Sequence, residues 1–75
     1  MLPASEIKMI RSLSDKKFRD RTGLFIVEGE KLAGEALRSG FIVEKIYRRD
    51  EIGEAAMQRI SATASGSPVL ALVRK

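Results

Sequence analysis

The sequence contains no cysteine and no histidine. The first absence removes disulfides and thiolate nucleophiles, the second removes imidazole bases, and together they remove nearly every transition-metal ligand set. What remains for catalysis is Ser, Thr, Lys, Tyr and carboxylates, all common on ordinary surfaces. Aromatic residues supply only 5% of the chain (Phe18, Phe25, Phe41 and Tyr47), so a core has to be built from Ile, Leu, Val, Ala and Met. No apolar run reaches the roughly 18 residues that read as membrane-spanning. Glu6, Lys8 and Arg11 interrupt the N-terminal segment where a signal peptide needs an apolar stretch. These absences predict a cytoplasmic chain with no membrane partner and no metal.

What is present is enough for one domain: 75 residues, 44% of them hydrophobic and 32% charged. The net charge of +4 is unevenly placed. Lys8, Arg11, Lys16, Lys17, Arg19 and Arg21 stand against Asp15 and Asp20 alone, so this stretch holds the whole excess and the rest of the chain is neutral. A surface that faces a polyanion has this distribution.

Punctuation and periodicity predict the order αα-β-α-β-α-β. Pro3 and Ser5 precede Ile7, Ile10 and Leu13, a helical stripe at three-residue steps. Ser14 is placed to cap a second short helix over 15–21, with Asp15 at its positive end and Thr22-Gly23 as its stop. Leu24-Phe25-Ile26-Val27 reads as a strand buried on both faces. A helix over 30–39 presents Leu32, Ala33, Ala36 and Leu37 on one face and closes at Gly40. A strand over 41–47 leaves through Arg48-Arg49-Asp50-Glu51. A helix over 54–61 carries Ala56, Met57 and Ile60, a Ser/Gly/Pro loop covers 62–68, and Val69-Leu70-Ala71-Leu72-Val73 is a buried strand. Strands alternating with helices predict an α/β fold, with a mostly parallel sheet covered on both sides. A buried strand that ends at Arg74-Lys75 predicts a domain cut from something longer.

Three groups of residues could carry chemistry. Gly29-Glu30-Lys31-Leu32-Ala33-Gly34 lies where a phosphate loop would, between a strand and a helix. Glu35 and Ala36 occupy the places that need Lys and Ser/Thr, so Gly29 reads as a turn and Gly34 as a close contact of helix and sheet. The second group is Lys16, Lys17, Arg19 and Arg21. It is either a solvated helix face, its charge partly met by Asp15 and Asp20, or a phosphate-contacting patch. Charge placement leaves both open. Phe18 within it is assigned to the core, and Arg48-Arg49 to solvated surface. The third is Glu28, an acid at the end of an apolar strand, expected at an exposed sheet edge or opposite a base such as Arg19.

The series Lys17-x-Arg19, Gly23-x-Phe25 and Val27-Glu28-Gly29 resembles the N-terminal substrate-binding domain of SpoU/TrmH-type RNA 2′-O-ribose methyltransferases. Ile7-Lys8, Ile10 and Ser12-Leu13 match the lead-in. Lys31-Leu32, Glu35-Ala36-Leu37, Ser39-Gly40, Ile60-Ser61 and the last strand continue the likeness through nearly the whole chain. The resemblance implies a small three-layer α/β/α sandwich, similar to RNA-binding ribosomal-protein-like folds. Residues 1–75 would then be a single substrate-RNA-binding domain. A knotted catalytic domain would follow Lys75, and S-adenosylmethionine would bind there rather than here.

The implied function is to hold the RNA substrate of a 2′-O-methyltransferase without performing the transfer. Implied partners are ribosomal or transfer RNA and the catalytic domain, with the isolated fragment a monomer. Lys17 and Arg19 are the first RNA contacts expected, Lys16 and Arg21 the next, and Lys8 and Arg11 flanking charge. Glu28 and Gly29 are structural at the site. One departure is that the connection from Asp50 to Glu54 is shorter than the family's pattern. The rival reading is a protein-docking module with a solvated basic face, which would use an apolar surface near Met57.

Overall fold

The computed structural model of the chain describes residues 2–61 and 67–75. The elements are α1 (Ala4–Ser12), α2 (Lys16–Thr22), β1 (Leu24–Glu28), α3 (Glu30–Arg38), β2 (Ile42–Arg48), α4 (Arg49–Ile52), α5 (Glu54–Ile60) and β3 (Val69–Arg74). Residues 62–66 of the expected Ser/Gly/Pro loop lie outside the described residues.

The most apolar strand takes the most buried place. β3 lies between the other two in the order β1-β3-β2, and Val69 to Val73 are all buried. Alternation along β3 then divides the core in two. Leu70 and Leu72 face Ile10 and Leu13 at the end of α1, Tyr47 of β2, and Met57 and Ile60 of α5. Val69, Ala71 and Val73 face Ala33 and Ala36 of α3. Helices therefore cover both faces of the sheet.

The sheet is antiparallel throughout, which corrects the mostly parallel sheet expected from the alternation of elements. β1 pairs β3 from Leu24 opposite Arg74 to Glu28 opposite Leu70, and β2 pairs β3 from Ile42 opposite Arg74 to Arg48 opposite Val69. The alternation does describe β1-α3-β2, whose two strands run the same way. They are not neighbours, because β3 enters between them in the opposite direction. The return from β2 explains this. Arg49 donates its N–H to the Pro68 carbonyl at 3.0 Å, so the chain enters β3 at the end where it left β2. A parallel crossover must carry the chain back along a strand of about 20 Å, whereas the seven residues of α5 rise only about 10 Å.

Two further expectations change for related reasons. β1 is an edge strand, half-buried along its length, rather than a strand buried on both faces. In α3 only the small residues Ala33 and Ala36 reach the sheet, while Leu32 and Leu37 stay about half exposed. Gly34 does not face the sheet either, since a Cβ there would meet only the Arg38 side chain at 3.4 Å. A bulge in β2 between Val43 and Lys45 keeps Val43 and Ile46 on the α3 side and turns Lys45 and Tyr47 toward α1. Among the described residues no helix is long and apolar enough to cross a membrane.

That turn makes a polar clasp between β2 and α1. The Tyr47 hydroxyl donates to Glu6 Oε2 at 2.6 Å, and Lys45 Nζ donates to the same oxygen at 3.0 Å. The tyrosine bond first, and the lysine bond next, hold the Glu6 carboxyl below its ordinary pKa. Burial first, and then Glu6, push the Tyr47 hydroxyl well above its ordinary value. A depressed carboxylate stabilises the fold above its unfolded pKa and loses that contribution as pH falls through the folded one. Tyr47→Phe should therefore cost about 1–2 kcal/mol at neutral pH, and the gap from the wild type should narrow on acidification below the carboxylate range. Urea unfolding from pH 7 to pH 3 measures this; a gap unchanged with pH would show that Glu6 is not the acceptor that matters.

Candidate nucleic-acid interface

The basic residues are positioned by the junction of α1 and α2. Asp15, not Ser14, caps α2: its carboxylate accepts the Lys17 N–H at 2.9 Å, the arrangement that satisfies an otherwise open helix N-terminus. The Ser14 hydroxyl instead donates back to the Arg11 carbonyl at 3.0 Å. Gly23 closes α2 in the left-handed conformation, φ 72°, as its sequence position predicts.

Helical periodicity then distributes the charge of α2. Lys17 and Arg21 are one turn apart and share a side, as do Lys16 and Asp20. Lys16 is paired with Asp20 at 2.8 Å, and Lys75 approaches the same carboxylate at 3.8 Å. The Arg21 guanidinium lies 5.6 Å from the centre of the Phe18 ring, which is half-buried and belongs to neither core cluster. Phe18 is thus a surface support for Arg21 and not the core residue expected. Lys17 is exposed and has no side-chain partner among the described residues.

Arg19 points the other way. Its Nη1 donates to the Leu13 carbonyl at 2.9 Å, tying α2 to the end of α1. This turns it toward an open cleft of about 600 Å³ between α1, α2, β1 and α5. Arg11, Arg19 and Glu28 line this cleft, so the fold brings together three residues far apart in the sequence. Lys8, Lys16, Lys17 and Arg21 are not among its walls. Arg59 of α5 is, and sequence reasoning missed it. The only signal was a charge opposite the Met57 and Ile60 stripe; that α5 packs beside α1 is a tertiary fact.

Glu28, expected at an exposed sheet edge or opposite a base such as Arg19, stands half-buried at the end of the edge strand β1. Its Oε1 accepts from Ser61 and, at 2.6 Å, from Ser67. The neighbouring Gly29 has φ 95°, a conformation that favours glycine. Its N–H donates to the Val69 carbonyl at 2.9 Å, and its own carbonyl accepts from Ala33 as α3 begins. The pair therefore anchors the end of β1. Met57, near which the rival reading puts an apolar docking surface, has no exposed area; the exposed large apolar residues among the described residues are Leu32, Leu37, Phe41 and Ile42.

Comparison with known proteins gives a consistent assignment. The family described as the MRM3-like substrate binding domain matches residues 4–74. A curated relative, the 23S rRNA (guanosine(2553)-2′-O)-methyltransferase RlmP of Bacillus subtilis (strain 168), is 44% identical over 46 residues, covering 61% of this chain and 18% of that protein. Among solved structures, one described as an RNA methyltransferase of the TrmH family from Porphyromonas gingivalis superposes with a TM-score of 0.84 at 29% identity. The match covers 99% of this chain and 36% of that one. An AdoMet-bound rRNA methyltransferase from Sinorhizobium meliloti superposes with a TM-score of 0.79 at 26% identity, over 100% of this chain and 35% of the other. The chain thus spans about a third of the solved relatives and less than a fifth of the curated one.

Proposed function

The chain belongs to the MRM3-like substrate binding domain family, an N-terminal substrate-binding domain of SpoU/TrmH methyltransferases, and from that premise we propose that it holds structured RNA for a 2′-O-methyltransferase. The observation that carries this reading is the placement of charge: the whole excess lies between Lys8 and Arg21, on two helices joined at one corner. Lys17 and Arg21 offer phosphate contacts from one side of α2, with Lys16 beside them and Lys8 and Arg11 as flanking charge on α1. Arginine forms a two-pronged contact with phosphate, whereas lysine acts as a point charge. The whole protein would carry a catalytic domain after Lys75, where S-adenosylmethionine would supply the methyl group. This chain's own residues would bind and orient the RNA, ribosomal or transfer, in the cytoplasm, and the isolated domain would be a monomer.

Binding by the isolated domain should be weak, ~10⁻⁴ to 10⁻⁶ M, and should fall with added salt, as mainly electrostatic contact does. Backbone amide shifts of the labelled chain, followed on titration with a structured ribosomal RNA hairpin at low salt, test this. Shifts should concentrate at residues 16–21. Shifts confined to Leu32, Leu37, Phe41 and Ile42 would instead favour a docking module.

A further inference from the structure

The cleft between α1 and α5 has a property that the surface patch lacks. Three arginines, Arg11, Arg19 and Arg59, line one concavity from three different helices. Among the described residues none of the three is in an ion pair. The acid closest to hand, Glu28, is engaged by the hydroxyls of Ser61 and Ser67. Three positive residues against one carboxylate leave the lining with a net positive charge, which raises the local concentration of anions. Arg19 is moreover oriented in advance by its bond to the Leu13 carbonyl, so less freedom is lost when it meets a ligand.

The floor is of another character. Ile26 of β1 is half-buried there and packs on the cluster of Ile10, Leu13 and Ile60. The edge of β1 adds polar groups. Gly23 and Gly29 exchange backbone bonds with Lys75 and Val69, so residues 23, 25, 27 and 29 of the ladder face β3. Ile26 falls between them, and its peptide N–H and C=O face the outer edge of the sheet. A volume of about 600 Å³ lies within the range of about 300–1,000 Å³ that takes small ligands. A paired duplex cannot enter such a space, whereas an unpaired nucleotide presents an apolar base face, hydrogen-bonding base edges and an anionic phosphate.

We infer that this cleft receives one unpaired nucleotide of the RNA substrate, with the base against Ile26 and the phosphate held by Arg11, Arg19 and Arg59. Arg59 is then an RNA-contacting residue on an element outside the basic stretch. The inference rests on the RNA-binding reading above but is separable from it. The patch on α2 needs only phosphates, while the cleft needs a nucleotide that is not paired.

Two hairpin RNAs of equal length distinguish the cases, one fully paired and one with a single bulged nucleotide, each titrated into the 75-residue chain. The bulged hairpin should bind several-fold more tightly, with amide shifts at Ile26, Arg59 and Ser61. Arg59→Ala, an exposed change to a good helix former, should leave the fold intact and weaken the bulged hairpin about tenfold. The same change should lower the dependence of log affinity on log salt by about one contact's share. It should leave the paired hairpin nearly unchanged. Equal binding of both hairpins, with wild-type behaviour of Arg59→Ala, would overturn the nucleotide cleft while leaving the α2 patch standing. Failure of both hairpins to bind at low salt would overturn the two readings together.

Discussion

Leu70→Ala is expected to lower the unfolding free energy by about 2–5 kcal/mol, the cost of removing a large apolar side chain where the surroundings cannot collapse. A domain of this length has a total stability of roughly 4–11 kcal/mol, at about 0.05–0.15 kcal/mol per residue, so this one change removes a large share of it. Leu70 has no exposed area, lies on the central strand and is flanked by both others, opposite Glu28 and Tyr47. It also packs into the cluster that joins α1 to α5, so the void would open beneath two helices at once. Urea denaturation should show a lower midpoint with the slope unchanged, since the same surface is exposed on unfolding. Leu37→Ala, on an exposed position of α3, is the control and should cost only a few tenths of a kcal/mol by comparison. Equal losses from the two changes would contradict the assignment of the core.

The combined change Lys17→Ala, Arg19→Ala should weaken RNA binding about ten- to a hundredfold at low salt, with loss of two charged contacts. The salt slope should fall by about two contacts' worth, each roughly 0.7–0.9. The structure sharpens how these variants are read. Arg19 also donates to the Leu13 carbonyl, so its truncation costs about 1 kcal/mol of fold stability as well as any RNA contact. Lys17 is exposed, with no side-chain partner among the described residues, and Lys17→Ala alone should weaken binding while leaving the urea midpoint unmoved. Filter binding at several salt concentrations, beside urea melts of each variant, separates the two effects. A Lys17→Ala chain that binds RNA as the wild type does would place the contact elsewhere.

Much of this architecture can be read from the residues. The buried run from Val69 to Val73, the stripe of Met57 and Ile60, and the glycine stop at Gly23 follow from local physics: side-chain size, period and positive φ. The direction of β3 does not. Parallel and antiparallel neighbours bury the same apolar run equally well, and only the short α5 and the meeting of Arg49 with Pro68 decide between them. The site divides in the same way. Clustered charge near α2 is visible in the sequence, because the residues are adjacent. Arg59 is 40 positions from Arg19 in the sequence, and only the packing of α5 beside α1 brings it to the same cleft. Glu28 was legible as an acid ending an apolar strand, but its hydroxyl partners come from Ser61 and Ser67, between α5 and β3.

The central position of β3 has a consequence for the order of events during synthesis. β1 and β2 do not touch each other in the sheet, so neither has a strand to pair with until residues 69–74 emerge from the ribosome. Hairpin proteins can begin folding from their first two strands, but here both strand pairings wait for β3. The sheet of the nascent chain therefore closes in one step, after the helices that precede β3 have been made. An arrest that exposes the chain only as far as Ile60 should leave α1 and α3 without a surface to cover, and open to proteolysis.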